Sequence, residues 1–344
     1  MAPYDAVWAS ESPQRVLHSH STPRLPVGAY IRPVRMDRVK VVYIAGSGRS
    51  GSTLLDGVLG QGPGFFPAGE LRSIWTWGAK PSARCGCGEP FRDCAFWADV
   101  FREAFGSLDC LNHPERFPHG FPELHRRDIA RLVLPLRSAS FERAVAAHAA
   151  NLQALYASIA RVSGCRGIID SSKRFEYAYL LSAVAGIDLY VVHLVRDSRA
   201  VTSSELKWEA RKYGGTYREP TKLLARRALA WSGNQLFSEL LRARDVKYLL
   251  MRYEDFAIQP KAALDRVGRF IGEDVSDLPF VGEASMEFSA NHAAIGNPVR
   301  FHQGRIDIRL DEAWRERMKP ADKHLVTALT WPLLRRYGYV GAAS

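Results

Sequence analysis

A glycine-rich segment at residues 46–53, Gly-Ser-Gly-Arg-Ser-Gly-Ser-Thr, has residue types and spacing suited to binding an anion. It follows an apolar, β-branched run at residues 39–45. It precedes a helix predicted over residues 52–59, which the glycines and proline of residues 60–64 should end. The backbone N–H groups of such a loop and the positive end of the next helix can hold a phosphate. The sequence therefore predicts an anion site here.

The same glycines fit a dinucleotide-binding pattern. Gly46, Gly48 and Gly51 spell G-x-G-x-x-G, and Glu70 follows some twenty residues later. That interpretation requires a second strand ending at the acid. Residues 64–70 hold a proline and two glycines, which disfavour a strand, so the dinucleotide interpretation loses support.

The Walker A pattern of nucleotide triphosphatases is a further alternative. Gly46, Gly51 and Thr53 fit it, but Ser52 occupies the position of the lysine. Without that lysine the loop lacks the usual contact with β- and γ-phosphates. Arg49 instead offers a cation near the 5′ end of a nucleotide. A glycine- and serine-rich turn without a ligand is the simplest alternative.

A second cation, Arg196, follows another predicted strand. Arg196 comes directly after the apolar run at residues 188–195, and Ser204 lies eight residues later on a predicted helix. A guanidinium binds phosphate through two parallel hydrogen bonds, and a hydroxyl adds a donor. The alternative for Arg196 is a structural pair with Asp197 or Glu205.

Lys173 lies just beyond the strand predicted over residues 167–170, at the edge of the sheet where ligands bind. A lysine at this edge could bind an anionic ligand. The alternative is a solvated surface lysine. Asp170 as a Walker B acid is disfavoured, because the Walker lysine is absent.

These segments together resemble sulfotransferases that use 3′-phosphoadenosine-5′-phosphosulfate (PAPS). Gly46-x-x-Arg49-Ser-Gly-Ser-Thr53 is similar to their 5′-phosphosulfate loop, and Arg196 with Ser204 resembles their 3′-phosphate signature. The family usually has proline where Ser198 stands. The loop is similar to that of bacterial, tyrosylprotein-type and carbohydrate-type members. The resemblance implies that PAPS is bound by Gly48, Arg49, Ser50, Gly51, Ser52, Thr53, Arg196 and Ser204, with Arg300 or Arg305.

The resemblance also implies a mechanism. Residues 68–72 resemble a Gly-Glu-x-x-Arg stretch in which the glutamate is the general base. Glu70 would take the proton of a hydroxyl acceptor, while Arg49 and Lys173 stabilise the transition state, giving a sulfate ester and adenosine 3′,5′-bisphosphate (PAP). This chemistry requires no metal. A structural pair of Glu70 with Arg72 stays open, and His193, inside an apolar strand, is expected to be a core histidine.

Residues toward the C-terminus extend the resemblance. Residues 252–256 are similar to an Arg-Tyr-Glu-Asp-Leu element that we expect to be architectural. Residues 296–305 and 311–314 resemble the basic segment that folds over the nucleotide. The sequence does not decide whether Arg300 or Arg305 reaches the 3′-phosphate.

Cys85, Cys87 and Cys94 could supply three thiolates to a zinc ion, but no fourth ligand is found at the usual spacing. A redox-labile pair, or cysteines that simply line a loop, are the alternatives, and no metal is expected. The nearby aromatic residues could shape the acceptor pocket, although residues of this type are more often core. They are Trp75, Trp77, Phe91, Phe96 and Trp97.

Composition limits the classes of protein. A net charge of +11 on 344 residues favours anionic ligands, and 47% hydrophobic residues exclude a largely disordered or collagen-like chain. Nucleic acid is disfavoured because the basic residues are dispersed. The sequence contains no apolar run long enough to span a membrane and no secretory signal, and it has five cysteines, so a cytoplasmic protein is expected.

The elements that must position these residues alternate between strands and helices, which predicts an α/β protein. We expect a three-layer, P-loop-NTPase-like fold with a central parallel sheet flanked by helices. Residues 1–38 should be an N-terminal arm and residues 39–340 the sulfotransferase domain, with residues 65–135 as an acceptor-side insertion. Strands are predicted at residues 39–45, 167–170, 188–195 and 246–251, and helices at residues 52–59, 141–162, 175–185, 199–212, 221–242 and 260–271.

Other functions remain open on the sequence alone. The chain could be a P-loop kinase or NTPase, or a nucleotide-binding protein without catalysis. The acceptor could be a small molecule or a glycan, with carbohydrate, lipid, phenolic and peptide-tyrosine hydroxyls all possible. The oligomeric state is also undetermined.

Overall fold

The computed structural model describes residues 38–112, 139–212, 220–243 and 246–341. The compact unit of residues 38–344 is built on a five-stranded parallel sheet with strand order β2-β3-β1-β4-β5. The predicted α/β fold with a central parallel sheet flanked by helices is therefore confirmed. Its strands are β1 (Val39–Gly46), β2 (Phe65–Gly69), β3 (Gly167–Lys173), β4 (Ile187–Val195) and β5 (Lys247–Arg252), and β6 (Ser285–Phe288) pairs antiparallel with β7 (Gly304–Asp307).

The helices agree closely with the sequence pattern. The helix predicted at residues 52–59 begins and ends where expected, because Gly51 precedes it with a φ of 88° and Gly60 follows it. The helices are α1 (Ser52–Leu59), α2 (Ile74–Trp77), α3 (Ala95–Phe105), α4 (Ala139–Ser163), α5 (Phe175–Leu181), α6 (Ser198–Lys212), α7 (Pro220–Glu239), α8 (Tyr253–Ile258), α9 (Pro260–Ile271), α10 (Trp314–Arg317) and α11 (Pro320–Arg336).

Strand β1 is buried on both faces, as its β-branched run predicts. Val41 and Tyr43 pack into the core on one face of the sheet, while Val42 and Ile44 pack into the core on the other. This alternation follows from the two-residue period of a strand. Helices cover both faces of the sheet, and β1 is its central strand.

The expectation that residues 64–70 do not form a strand is wrong. Residues Phe65–Gly69 form β2, which lies at the edge of the sheet beside β3. Pro67 is tolerated because an edge strand does not need every N–H for a ladder. Glu70 therefore follows a strand, but β3 lies between β2 and the glycine loop. In a dinucleotide site the strand that carries the acid lies beside β1.

The strand order creates a switch point at β1, which lies between β3 and β4. In parallel sheets ligands bind where crossovers leave neighbouring strands in opposite directions. The residues that follow β1, β3 and β4 therefore reach one rim of the sheet. This rim receives the glycine loop, Lys173 and Arg196.

The predicted arm, except for Arg38, and residues 113–135 of the predicted insertion lie outside the described residues. Within the described ranges, no helix has the length and apolarity that crossing a membrane requires. The described part of residues 65–135 holds β2, α2 and α3.

Candidate functional site

The loop between β1 and α1 has a backbone that few residues adopt. Gly46 has a φ of 131° and Gly51 a φ of 88°, both outside the range that most side chains tolerate. A Cβ atom would lie 2.4 Å from the Leu194 carbonyl oxygen at Gly46 and 2.6 Å from the Tyr253 ring at Gly51. The two glycines thus let the loop pass close to β4 and Tyr253. Between them Arg49 is also left-handed, with a φ of 64°.

A buried hydrogen-bond chain supports this loop from β4. His193 Nε2 donates to Gln235 Oε1 at 2.5 Å, and Gln235 Nε2 donates to Ser47 Oγ at 3.0 Å. The Tyr248 hydroxyl donates to His193 Nδ1 at 2.5 Å. Burial lowers the pKa of His193 to about 4. The prediction that His193 is a core histidine is confirmed.

Arg196 is nearly buried, with 6% of its surface exposed. Its Nη1 donates to the Arg49 carbonyl oxygen at 3.0 Å, and its guanidinium lies over the Tyr253 ring, 4.5 Å from the centroid. Its Nη2 donates to Asp311, to the carbonyl oxygen at 2.9 Å and to Oδ2 at 3.0 Å. Asp311 comes from the C-terminal segment, so this segment already reaches the rim.

The suggested structural partners of Arg196 were wrong. Asp197 instead pairs with Arg199, with 2.6 Å between the nearest nitrogen and oxygen, and Glu205 lies 3.6 Å from Arg227. Both carboxylates are therefore engaged along α6 and with α7. This leaves the Arg196 guanidinium directed toward the loop and the C-terminal segment.

The crossovers after β1 and after β4 are in direct contact. Arg49 Nε donates to Ser204 Oγ at 3.0 Å, and Arg196 reaches the Arg49 backbone, as described above. The sequence places Arg49 and Ser204 155 positions apart, and the parallel pairing of β1 with β4 brings them together. The rim thus presents two guanidinium groups and a hydroxyl beside the N-terminus of α1.

Lys173 and Glu70 form an ion pair at the same rim. Lys173 Nζ donates to Glu70 Oε1 at 2.6 Å and to the Ser171 carbonyl oxygen at 3.0 Å. The Lys173 side chain is 15% exposed to solvent and the Glu70 side chain 27%. Lys173 is therefore not a solvated surface lysine, and the partner of Glu70 is Lys173 rather than Arg72. The pair spans the ends of β2 and β3.

Asp170 is buried below this pair. The Tyr156 hydroxyl donates to Asp170 Oδ2, and the Ser172 backbone N–H donates to Asp170 Oδ1 at 2.8 Å. Burial raises the pKa of Asp170 to about 6. Both carboxylate oxygens are satisfied by the protein, which does not favour a Walker B role.

The start of α1 is covered by the segment that precedes β7. The Asn297 backbone N–H lies 3.4 Å from Thr53 Oγ1, and a Cβ at Gly296 would contact the Thr53 side chain. Ser52 is buried. Within the described residues, the buried hydroxyl of Ser50 has no hydrogen-bond partner. The loop thus holds a hydroxyl that no described residue satisfies.

Arg300 and Arg305 have different surroundings. Arg300 Nη1 donates to the Gly296 carbonyl oxygen at 2.6 Å and Nη2 to the Arg84 carbonyl oxygen at 3.2 Å, and burial lowers the pKa of Arg300 to about 10. Arg305 is exposed on β7, where its Nη2 donates to Ser285 Oγ at 3.2 Å. Arg300 is thus held by backbone oxygens, and which of the two binds a nucleotide stays a prediction.

The aromatic insertion is mostly core. Trp75, Phe91 and Trp97 are buried, while Trp77 and Phe96 keep part of their surface. Of these five residues, Trp77 and Phe96 are the two with surface left to shape a pocket. The structure also adds a residue to the cysteine cluster that the sequence did not reveal. His292, from the C-terminal part of the chain, lies beside Cys85 and Cys94. The sequence showed no fourth ligand at the usual spacing, because spacing along the chain does not reveal a partner 198 residues away.

Comparisons with known proteins identify relatives of the chain. A sequence model described as the sulfotransferase family matches residues 42–277. A search of curated proteins gave no match.

Several solved sulfotransferase structures also match the chain. The sulfotransferase domain from the Synechococcus PCC 7002 olefin synthase is 22% identical, with a TM-score of 0.47 over 87% of this chain and 97% of that domain. The sulfotransferase domain from the curacin biosynthetic pathway is 16% identical, with a TM-score of 0.46, and the match covers 86% of this chain and 99% of that domain. Mouse sulfotransferase SULT7A1, complexed with PAP, is 17% identical, with a TM-score of 0.36, and the match covers 52% of this chain and 71% of the mouse protein.

Proposed function

The chain belongs to the sulfotransferase family, and we propose that it transfers the sulfuryl group of PAPS to a hydroxyl acceptor and releases PAP. The observation that carries this proposal is the contact between the crossovers after β1 and β4. Arg49 Nε lies 3.0 Å from Ser204 Oγ, and Arg196 Nη1 lies 3.0 Å from the Arg49 carbonyl oxygen. Groups suited to a 5′-phosphosulfate and to a 3′-phosphate thus adjoin each other.

In this proposal the loop after β1 binds the 5′ end of the donor. Backbone N–H groups of residues 48–53 and the N-terminus of α1 face the phosphosulfate, and the Ser50 hydroxyl, which lacks a partner among the described residues, gains one. Arg49 adds a positive charge. The 3′-phosphate then accepts hydrogen bonds from Arg196 and Ser204, and Arg300 or Arg305 supplies a further cation.

The contact between Arg196 and Asp311 supports this assignment. A carboxylate oxygen lies 3.0 Å from Arg196 Nη2, so the guanidinium already binds one anion at this point. The Asp311 side chain is 54% exposed and can move aside. A 3′-phosphate would replace this carboxylate, which exchanges one charge-assisted hydrogen bond for another.

In this proposal the Glu70–Lys173 pair carries out the transfer step. Glu70 takes the proton of the acceptor hydroxyl as the acceptor oxygen attacks sulfur. The new O–S bond forms as the bond between sulfur and the bridging phosphate oxygen breaks, and the electron pair stays on the phosphate of PAP. Lys173 and Arg49 stabilise that charge. Positioning and fixed charge supply the catalysis, and no metal takes part.

A thermal-shift series with PAP, ATP, AMP and NAD tests the donor class. PAP should stabilise the protein most, and Arg196→Ala should abolish its advantage over AMP. The matched control is Arg102→Ala, which removes an exposed arginine paired with Asp99 on α3. A response to ATP equal to or greater than that to PAP would instead favour a kinase or NTPase.

Radiolabelled PAPS then tests transfer. The protein is incubated with a phenol, a sugar, a lipid alcohol and a tyrosyl peptide, and label in a sulfate ester is measured. We expect transfer to at least one of these hydroxyl classes. Tight PAP binding without transfer to any of them would favour a nucleotide-binding protein without catalysis.

A further inference from the structure

We propose that Cys85, Cys87, Cys94 and His292 bind one structural zinc ion. This Cys₃His cluster offers three sulfur atoms and one imidazole nitrogen, and all four ligand atoms lie within 4.8 Å of one another. Cys85 and Cys94 are buried, and Cys87 and His292 are half-buried. The zinc assignment does not depend on the reaction that the protein catalyses.

The distances within the cluster fit a tetrahedral metal site. His292 Nδ1 lies 3.5 Å from Cys85 Sγ and 3.4 Å from Cys94 Sγ, and Cys87 Sγ lies 3.9 Å from Cys94 Sγ. With Zn–S bonds of about 2.3 Å and Zn–N bonds of about 2.0–2.1 Å, tetrahedral geometry separates neighbouring ligand atoms by about 3.5–3.8 Å. A disulfide needs sulfur atoms about 2.05 Å apart, and all three cysteines are free.

Two local structures hold the cysteines in place. Cys85 and Cys87 lie on a tight turn, in which Cys85 N–H donates to the Glu89 carbonyl oxygen and Gly88 N–H donates to the Cys85 carbonyl oxygen, each at 2.9 Å. Cys94 directly precedes α3. The turn and the start of the helix therefore direct three sulfur atoms to one point.

Aromatic contacts and hydrogen bonds orient the histidine. The Phe96 ring stacks on the His292 ring, with centroids 4.8 Å apart and planes 14° from parallel. Trp97 Nε1 donates to the His292 carbonyl oxygen at 2.9 Å. Gly86 N–H donates to the Ala293 carbonyl oxygen, also at 2.9 Å. These contacts hold the ring and the backbone of His292 in a position in which Nδ1 faces the sulfur atoms of Cys85 and Cys94.

Charge balance also fits zinc. Three thiolates and one Zn²⁺ carry a net charge of −1, and burying that charge requires a nearby cation. Arg300 Nη2 donates to the carbonyl oxygen of Arg84, the residue before Cys85. Its guanidinium therefore lies beside the cluster. Four protein ligands leave no open position, which is the pattern of a structural rather than a catalytic zinc site.

The zinc would tie the insertion to the C-terminal segment that borders the rim. Just after His292, Ala294 N–H donates to the Ala68 carbonyl oxygen at 3.0 Å, and Glu70 N–H donates to the Ile295 carbonyl oxygen at 2.9 Å. The metal thus sits two residues from contacts that fix the backbone on both sides of Gly69. Its loss should loosen this segment and, if the proposed function holds, the position of Glu70.

Metal analysis of the full-length protein, purified without chelators under reducing conditions, tests the proposal. We expect about one zinc ion per chain. Cys94→Ser and His292→Asn should each lower the zinc content below about a third of the wild-type value, because losing one ligand weakens the site. Cys165→Ser is the matched control, since this half-buried cysteine lies outside the cluster, and it should retain its zinc.

Two further measurements on the wild-type protein do not depend on whether the variants fold. Replacing zinc with Co²⁺ should give the intense visible absorption of a tetrahedral ion and a thiolate-to-cobalt band in the near ultraviolet. A high-affinity zinc chelator should lower Tm, and added Zn²⁺ should restore it. Less than about a tenth of a zinc ion per chain, with no cobalt spectrum, would overturn the proposal. A Cys87–Cys94 disulfide in the native protein, or full zinc in Cys94→Ser and His292→Asn, would also overturn it.

Discussion

Replacing Glu70 with glutamine separates a catalytic role from a structural one. Glutamine keeps the size of the side chain and an oxygen that can accept the hydrogen bond from Lys173, but it cannot take a proton at neutral pH. Removing a general base typically lowers a rate by about 100- to 10,000-fold. We therefore expect kcat for transfer from PAPS to fall by that factor, which is about 3–5 kcal/mol in the barrier.

The effect on stability should be much smaller. The Glu70 and Lys173 side chains are 27% and 15% exposed, so solvent partly screens their attraction. Pairs of this kind contribute about 0.5–1 kcal/mol. A change of that size shifts the Tm of a large domain by less than about 4 °C. A rate effect several times larger in free energy than the stability effect would assign Glu70 to the reaction itself.

Three assays on the same preparations make this comparison: label transfer from PAPS, thermal denaturation and PAP binding by calorimetry. Glu283→Gln is the matched control, because it removes the charge of an exposed glutamate that lies 3.0 Å from Lys261 Nζ. It should change none of the three. The reasoning is refuted if Glu70→Gln keeps more than about a tenth of the wild-type kcat. It is also refuted if PAP binding falls as much as kcat does.

Three further predictions concern the glycine loop and the residues that support it or Arg196. Burial lowers the pKa of His193 from 6.5 to about 4, so the folded state binds fewer protons in this range. The free energy of unfolding should therefore lose about 2 kcal/mol as the pH falls from about 6.5 to about 5, and urea titrations of His193→Gln should lack this component. Asp311→Asn should bind PAP about two- to fivefold more tightly in calorimetry, because a half-exposed carboxylate no longer competes for Arg196. Gly51→Ala should cost about 1–3 kcal/mol in chemical denaturation and weaken PAP binding, because its φ of 88° and the Tyr253 ring leave no room for a Cβ.

Local sequence patterns predicted much of the fold. Helix α1 and helix α9 begin and end where their flanking glycines and prolines indicate, because caps act over only a few residues. Strand β2 was missed for the opposite reason. Proline is excluded from central strands, and the sequence does not show that β2 lies at the edge of the sheet.

The candidate site was likewise predicted only in part. Arg49, Lys173 and Arg196 were predicted to lie at one rim because each stands at or just beyond the carboxyl end of a strand in a parallel sheet. The partners that complete the site could not be read from the sequence. Lys173 meets Glu70 across 103 residues, and Arg196 meets Asp311 across 115. Such contacts depend on strand order and on the path of the C-terminal segment, which no local pattern encodes.

Calorimetric titration of PAP and AMP into the wild-type protein and into Arg196→Ala and Arg49→Ala tests the central claim that two crossovers hold one donor. The ligands differ only in the 3′-phosphate. We expect the wild type to prefer PAP by about 10- to 100-fold, as hydrogen bonds to charged groups allow. Arg196→Ala should remove this preference, and Arg49→Ala should weaken both ligands equally. Equal affinities of the wild type for PAP and AMP, or an unchanged preference in Arg196→Ala, would contradict the claim.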